Sequence, residues 1–255
     1  MFDTHAHIHG ESFDADREAV LARAAEAGVS RIQTVGTDLA DSARALEIAA
    51  RYGLDAAIGI HPHEAKDAPE DLAAAFDALR EAAPVAPRAI GETGLDYFYD
   101  HSPRDAQRRT LVAHLRYARA SGLPLIFHQR DAFEDFTEVL RSEFARPMRG
   151  VVHCFTGDAA QARLLVDEFG LRLGIGGVVT FKTADGLREA VRAVGLDHIV
   201  LETDCPYLAP VPFRGRRNEP AFVAATAARV AEVLETSLDE VIARSTATAV
   251  TLFSE

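Results

Sequence analysis

The chain has 255 residues, 48% hydrophobic and 26% charged, which is an ordinary globular composition with enough length for one large core or two small ones. A formal net charge of −12 excludes a protein that coats nucleic acid electrostatically. It does not exclude an enzyme that meets phosphates through bound cations. No apolar run approaches the roughly 18 residues that span a bilayer, and the first residues lack a basic-then-apolar signal, so a cytoplasmic, non-membrane protein is the expectation. Cys154 and Cys205 are too few for a disulfide framework.

Apolar, β-branched runs alternate with segments whose apolar residues recur every three or four positions. A strand over the opening residues ends in His5-Ala6-His7-Ile8-His9. A helix follows over Asp14 to Ala27, stopped by Gly28, then a strand over Ser30 to Val35 and a helix over Asp38 to Tyr52, closed by Gly53. Leu54 to Ile60 forms the third strand and leads into His61-Pro62-His63, with a helix through Asp71, Phe76 and Leu79 behind it. The fourth strand, Arg88 to Gly91, delivers Glu92-Thr93-Gly94-Leu95-Asp96-Tyr97; the helix after it runs from about Pro103 to Ala120. Leu123 to Phe127 delivers His128-Gln129-Arg130-Asp131, and Gly150 to Val152 delivers His153-Cys154-Phe155. Leu171 to Ile175 ends in a glycine-rich turn, and His198 to Leu201 ends in Glu202-Thr203-Asp204-Cys205-Pro206. Further helices open at Glu219-Pro220 and at Ser237-Leu238-Asp239-Glu240, which has the form of a capping box.

Eight strands separated by helices predict an α/β chain folded as a parallel TIM (β/α)8 barrel with additional C-terminal helices; an open doubly wound sheet is the alternative. No linker or low-complexity tract interrupts the alternation, so residues 1–255 are read as a single domain.

In such a barrel the C-terminal strand ends converge. His5 and His7 end strand one, with i and i+2 facing the same side. Glu92 ends strand four, His128 strand five, His153 strand six and Asp204 strand eight. Four imidazoles and two carboxylates exceed what one tetrahedral ion uses, so the expectation is two divalent ions per chain, with Glu92 able to bridge them. The donor set suits zinc, manganese or iron better than magnesium, and sequence does not fix the occupant.

Alternation extends the reading. If His128 faces inward, so does Arg130, a candidate phosphate contact weighed against a surface ion pair with Asp131 or Glu134. Glu202 shares the inward side with Asp204 and can orient a ligand or water. Cys154 and Cys205 then point away, as small buried packing residues. His61 and His63 can bind phosphate or move protons, or one of them serves a Pro-fixed turn. Gly174, Gly176 and Gly177 can let amides approach an anion. Arg214, in the Arg214-Gly215-Arg216-Arg217 cluster, can contact a polyanion.

Taken together, Asp3-Thr4-His5-Ala6-His7, Gly59-Ile60-His61-Pro62-His63, Gly91-Glu92-Thr93-Gly94-Leu95-Asp96-Tyr97, His128-Gln129-Arg130, His153-Cys154-Phe155-Thr156-Gly157, Glu202-Thr203-Asp204-Cys205-Pro206 and Arg214-Gly215-Arg216-Arg217-Asn218-Glu219-Pro220 resemble the TatD family of metal-dependent deoxyribonucleases. The resemblance implies a TIM-barrel hydrolase with divalent metals held by His5, His7, Glu92, His128, His153 and Asp204. It departs from the family pattern where Ile8-His9 replaces the usual Leu-Asp and where Phe213 stands in place of a common histidine. His9 is not counted as a ligand, and Phe213 bears on substrate preference. The only lysines are Lys66 and Lys182, neither at the end of strand four, which argues against a site bridged by a carboxylated lysine.

The function expected from this is hydrolysis of phosphodiester bonds in DNA, from single-stranded ends, by a metal-activated water, with Asp204 and Glu92 as catalytic carboxylates. DNA is then a substrate bound locally and weakly, and no stable protein partner is evident. A metal-dependent hydrolase of small esters, amides or aminoacyl links is the alternative, and a non-catalytic accessory protein the third option.

Overall fold

A computed structural model describes residues 1–144 and 149–253. Strand and helix alternate as β1 (Phe2–Ala6), α1 (Arg17–Glu26), β2 (Arg31–Val35), α2 (Leu39–Tyr52), β3 (Asp55–Ile58), α3 (Leu72–Ala82), β4 (Ala89–Asp96) and α4 (Arg104–Ser121). They continue as β5 (Leu125–Arg130), α5 (Phe133–Glu143), β6 (Gly150–Val152), α6 (Ala159–Asp167), β7 (Arg172–Ile175), α7 (Asp185–Val194) and β8 (Ile199–Leu201), after which α8 (Val223–Leu234) and α9 (Leu238–Phe253) close the chain. The strands form one eight-stranded sheet in the order β1-β2-β3-β4-β5-β6-β7-β8, the order of a (β/α)8 barrel. Among the described residues no helix is long and apolar enough to cross a membrane.

Local chemistry explains several helix ends. Asp38 accepts from the Asp41 amide at the start of α2, and Gly53, at φ 69°, ends it with an N–H donated to the Ala49 carbonyl. The expected capping box at Ser237 is half formed. Ser237 Oγ accepts from the Glu240 amide at 3.2 Å, while the Glu240 carboxylate takes the Thr236 hydroxyl at 2.7 Å. The first helix begins at Arg17 rather than Asp14, because Glu11–Phe13 form a separate 3-10 turn.

Two strands run further than their apolar patterns suggest. β4 continues to Asp96 and β5 to Arg130, paired Gly94 with His128, Leu95 with Gln129 and Asp96 with Arg130. Most of the added residues are polar or glycine, so hydrophobic alternation carries little signal there. Main-chain pairing decides the length instead.

The chain packs as two compact units, Met1–Thr34 with His153–Glu255 and, separately, Val35–Val152. In the first, Phe2 packs edge-on to Phe253 at 5.9 Å, and buried Arg17 donates to the carbonyls of Ile8, His9 and Gly10 at 2.8, 3.0 and 3.1 Å, fixing the turn after β1. There β1 also meets the segment after β8: the His7 amide donates to the Cys205 carbonyl at 2.8 Å and the Asp204 amide to the His5 carbonyl at 2.9 Å. In the second unit Leu46, Ile58, Phe76, Ile90, Leu95, Leu111, Phe127 and Phe136 form the interior.

Within that second interior lies His114 of α4. Its Nδ1–H donates to the Thr110 carbonyl at 2.7 Å and its Nε2 accepts the Ile60 amide at 3.0 Å, a pairing that only the neutral ring makes. Burial pushes the imidazole down to about 4 from 6.5. The unfolded chain therefore takes the proton first. Stability from this group is fully present above pH 6.5 and is lost as pH falls toward 4. The loss is on the order of 3 kcal/mol over that window. His114→Gln keeps an acceptor and removes the titration, so its melting temperature is expected to fall less steeply than the parent's between pH 7 and pH 4.5. Parallel curves would assign the acid loss elsewhere.

Candidate metal centre

The first unit gathers four of the expected ligands. His7 Nε2 lies 3.5 Å and His5 Nε2 3.9 Å from Asp204 Oδ1. The His5 and His153 rings stack at 3.9 Å with 19° between their planes. Asp204 sits at φ 58°, a left-handed conformation that aspartate tolerates better than most residues. Its main chain is held on both sides, the N–H by the His5 carbonyl and the C=O by the Tyr207 amide, at 2.9 Å each. Burial works to raise the Asp204 carboxyl. The hydrogen bond from His7 and the charges of His153, His5 and His7 outweigh it and hold the group below its ordinary value.

Behind these rings lies Glu202, fully buried, with Oε1 accepting the Cys154 amide at 2.5 Å and lying 3.5 Å from His153 Nδ1. His5, His153 and Glu202 offer donor atoms all within 4.8 Å of one another. Asp3, also buried, accepts from the Thr203 amide at 2.9 Å and hydroxyl at 2.6 Å, which ties β1 to the end of β8. Burial pushes its carboxyl up to about 8 against those two donors.

The second unit gathers the others. His128 Nδ1 is 2.8 Å from Glu92 Oε1, and its Nε2 is 3.1 Å from Asp96 Oδ2. His61 Nε2 lies 3.4 Å from Glu92 Oε1, and His63 Nε2 lies 2.9 Å from Asp96 Oδ2. His61 Nδ1 accepts the His63 amide at 3.1 Å. Burial pushes the His61 imidazole down to about 4, so the ring is neutral near pH 7 and able to offer a lone pair. His61, Glu92 and His128 have donor atoms within 4.8 Å of one another. Asp96 is held well below the usual carboxylate range: burial opposes this, but hydrogen bonds from His128, the Tyr99 amide and His63 prevail.

Asp96 is the residue that sequence reasoning passes over, although it stands in the Gly91–Tyr97 motif. A signal exists, because Glu92 and Asp96 are four apart on one strand and residues at i, i+2 and i+4 share a face. Both carboxylates reach His128, with side-chain-free Gly94 between them.

The structure also places the other residues that the sequence singles out. Arg130, the last residue of β5, lies exposed, with its guanidinium carbon 4.0 Å from the Phe98 ring centroid and 4.7 Å from that of Tyr99. Two of the glycines in and after β7 make room for neighbouring protein: a Cβ at Gly174 would overlap the Glu202 carboxylate and one at Gly177 would press on Leu208 and Pro210. Cys205 is buried and burial pushes its thiol well up, as packing requires, but Cys154 is only half-buried. His9 is buried and its Nδ1 lies 2.7 Å from the Thr34 hydroxyl. Of the basic cluster, Arg217 is paired with Asp16 at 2.6 Å, and exposed Arg214 lies over Phe181 at 4.0 Å and donates to the Ala209 carbonyl at 3.1 Å. Phe213 stacks on Phe222 at 3.8 Å. Asn218 contributes structure, donating to the Thr203 and Tyr207 carbonyls at 2.7 and 2.6 Å.

The donor set, imidazoles beside carboxylates, suits borderline divalent cations. Such groups at the strand ends of a (β/α)8 chain define a metal-dependent hydrolase. Comparison with known proteins gives the family. The model of the TatD related DNase family matches residues 2–254, and the chain belongs to that family. It is 42% identical to an uncharacterized metal-dependent hydrolase, YabD, of Bacillus subtilis over 99% of this chain and 98% of that one. It is 35% identical to the 3'-5' ssDNA/RNA exonuclease TatD of Erwinia amylovora over 99% of each chain. The crystal structure of YJJV, a TatD homolog from Escherichia coli, superposes with a TM-score of 0.92 at 32% identity, covering 100% of this chain and 98% of that one.

Proposed function

We propose that the protein is a metal-dependent nuclease that hydrolyses phosphodiester bonds at the ends of single-stranded DNA. The observation that carries this reading is the pair of imidazole–carboxylate groups, His5, His7 and His153 about Asp204 in one unit and His61 and His128 about Glu92 in the other. We assign one divalent ion to each group, with His5, His7, His153 and Asp204 as ligands in the first and Glu92 and His128 in the second. Bound there, divalent cations lower the pKa of water and neutralise phosphate oxygens.

The residues of the chain do the rest. Asp204, kept ionised by its histidine neighbours, accepts the proton of the attacking water. Glu202 holds the His153 ring in place. His61, neutral near pH 7, and His63, held by Asp96, face the substrate phosphate. Exposed Arg130 and Arg214 offset phosphate charge beyond the metals. With a net charge of −12, attraction to DNA is local, so binding is weak. Cys154 and Cys205 are not joined in a disulfide, which suits a reducing compartment, and we place the protein in the cytoplasm.

The test is a comparison of chelated protein with protein restored by zinc, manganese, magnesium or iron, one at a time. Each form is offered end-labelled single-stranded DNA, the matching RNA, and small carboxylic esters. Chelation is expected to abolish hydrolysis of the DNA and at least one ion to restore it, with metal analysis returning two ions per chain. Turnover of the esters without turnover of either nucleic acid would replace this reading with that of a small-molecule hydrolase.

A further inference from the structure

The turn after β4 carries a feature that the hydrolytic chemistry does not use. Every residue of β4 is buried, yet the next residues but one, Phe98 and Tyr99, are 55% and 50% exposed. Their rings meet edge to face, with centroids 4.9 Å apart and planes at 88°. Arg130 lies over both rings, and exposed His101 lies parallel to Tyr99 at 5.4 Å. The result is a corner of flat π surfaces with a guanidinium set into it.

This corner is tied to the metal-binding group by one carboxylate. Asp96 Oδ1 accepts the amides of Phe98 at 3.0 Å and Tyr99 at 2.9 Å, while Oδ2 touches His63 and His128. Gln107 clamps the other side, accepting the Asp96 amide at 2.8 Å and donating to the Ser102 carbonyl at 2.9 Å. The main chain that carries the aromatic pair is therefore fixed to the same carboxylate that touches His128, while both rings stand exposed.

We infer that Phe98 and Tyr99 form a platform on which an unpaired nucleobase stacks, next to the phosphate that Arg130 engages. This rests on the nuclease reading above and says which part of the substrate that reading leaves unassigned. Every base presents a π face, so such a platform is tolerant of sequence, and a cation in the corner adds attraction for the adjoining phosphate. Bases inside a duplex are already stacked on each other, so the platform selects single strands.

The experiment uses the full chain with its restoring metal and two oligonucleotides, one normal and one with a tetrahydrofuran abasic residue at the terminal position. The wild type is expected to show a KM about tenfold lower for the normal strand. In a Phe98→Leu, Tyr99→Leu double variant, which keeps apolar bulk at two exposed positions, that ratio is expected to fall toward one. Tyr99→Phe retains the ring and is expected to retain the ratio. A second readout is free of turnover: chelated wild type quenches a terminal 2-aminopurine on binding, and the chelated double variant does not. A double variant that keeps the tenfold ratio and the quenching overturns the platform and leaves the nuclease reading standing. A wild type that neither binds nor cleaves either strand overturns both.

Discussion

Asp204→Asn is expected to lower kcat on single-stranded DNA by a factor of about 100 or more while leaving the fold intact. Asparagine matches aspartate in shape and tolerates the left-handed φ of 58° found there. The main-chain hydrogen bonds from the Asp204 amide to His5 and from the Tyr207 amide to Asp204 do not involve the side chain. What changes is charge. His7 Nε2 and His5 Nε2 lie 3.5 and 3.9 Å from Asp204 Oδ1, and a neutral amide there neither balances a divalent cation nor accepts a proton from water. Metal content of the purified variant is expected to fall below that of the wild type, and the melting temperature of the metal-free forms to agree closely. A variant that keeps both its metal and wild-type kcat would remove Asp204 from the mechanism.

The second large effect is on the fold. Gly94 sits at φ 153°, where L side chains are strained, and a Cβ there would overlap the carbonyl oxygen of His128, its partner across the β4–β5 ladder. Neither neighbour can move without breaking the ladder. Gly94→Ala is therefore expected to cost roughly 3 kcal/mol or more, read as a fall of ~10 °C in melting temperature or as insoluble protein. It also displaces His128 from Glu92, now 2.8 Å away, so residual soluble protein should bind metal poorly. Gly186→Ala is the contrast. That glycine lies in α7 with nothing within 4 Å of the place an added methyl group would take, and alanine is expected to stabilise by up to about 1 kcal/mol. Equal melting temperatures for the two variants would show that the β4–β5 contact is looser than its geometry implies.

These two positions show how unevenly the site can be read. Asp204, His5 and His7 stand out because imidazoles and a carboxylate recur near the ends of separate strands, where a (β/α)8 chain brings strand ends together. Gly94 gives no such notice. A glycine in a motif reads as a turn, and only the ladder shows that its missing side chain makes room for the backbone carrying His128. Asp96 is hidden for a related reason, since the apolar pattern ends at Gly91 and the strand continues five residues further on main-chain pairing. Arg130 shows what alternation leaves out. At the last residue of β5 its guanidinium lies against the exposed Phe98 and Tyr99 rings, a contact that no pattern along the strand announces.

The alternation of strand and helix and the residue types able to bind metal are legible along the chain, because periodicity and residue chemistry are local properties carried by neighbours; that alternation left a closed barrel and an open doubly wound sheet both open, and the strand order decided between them. Tertiary structure alone decided where β4 and β5 end, that Asp96 stands between His63 and His128, that Glu202 fills the space over Gly174, and that Arg130 lies on an aromatic corner. Each of these depends on which main chain lies within hydrogen-bonding or van der Waals reach of another. Residues far apart along the chain set that distance together, and no local pattern encodes it.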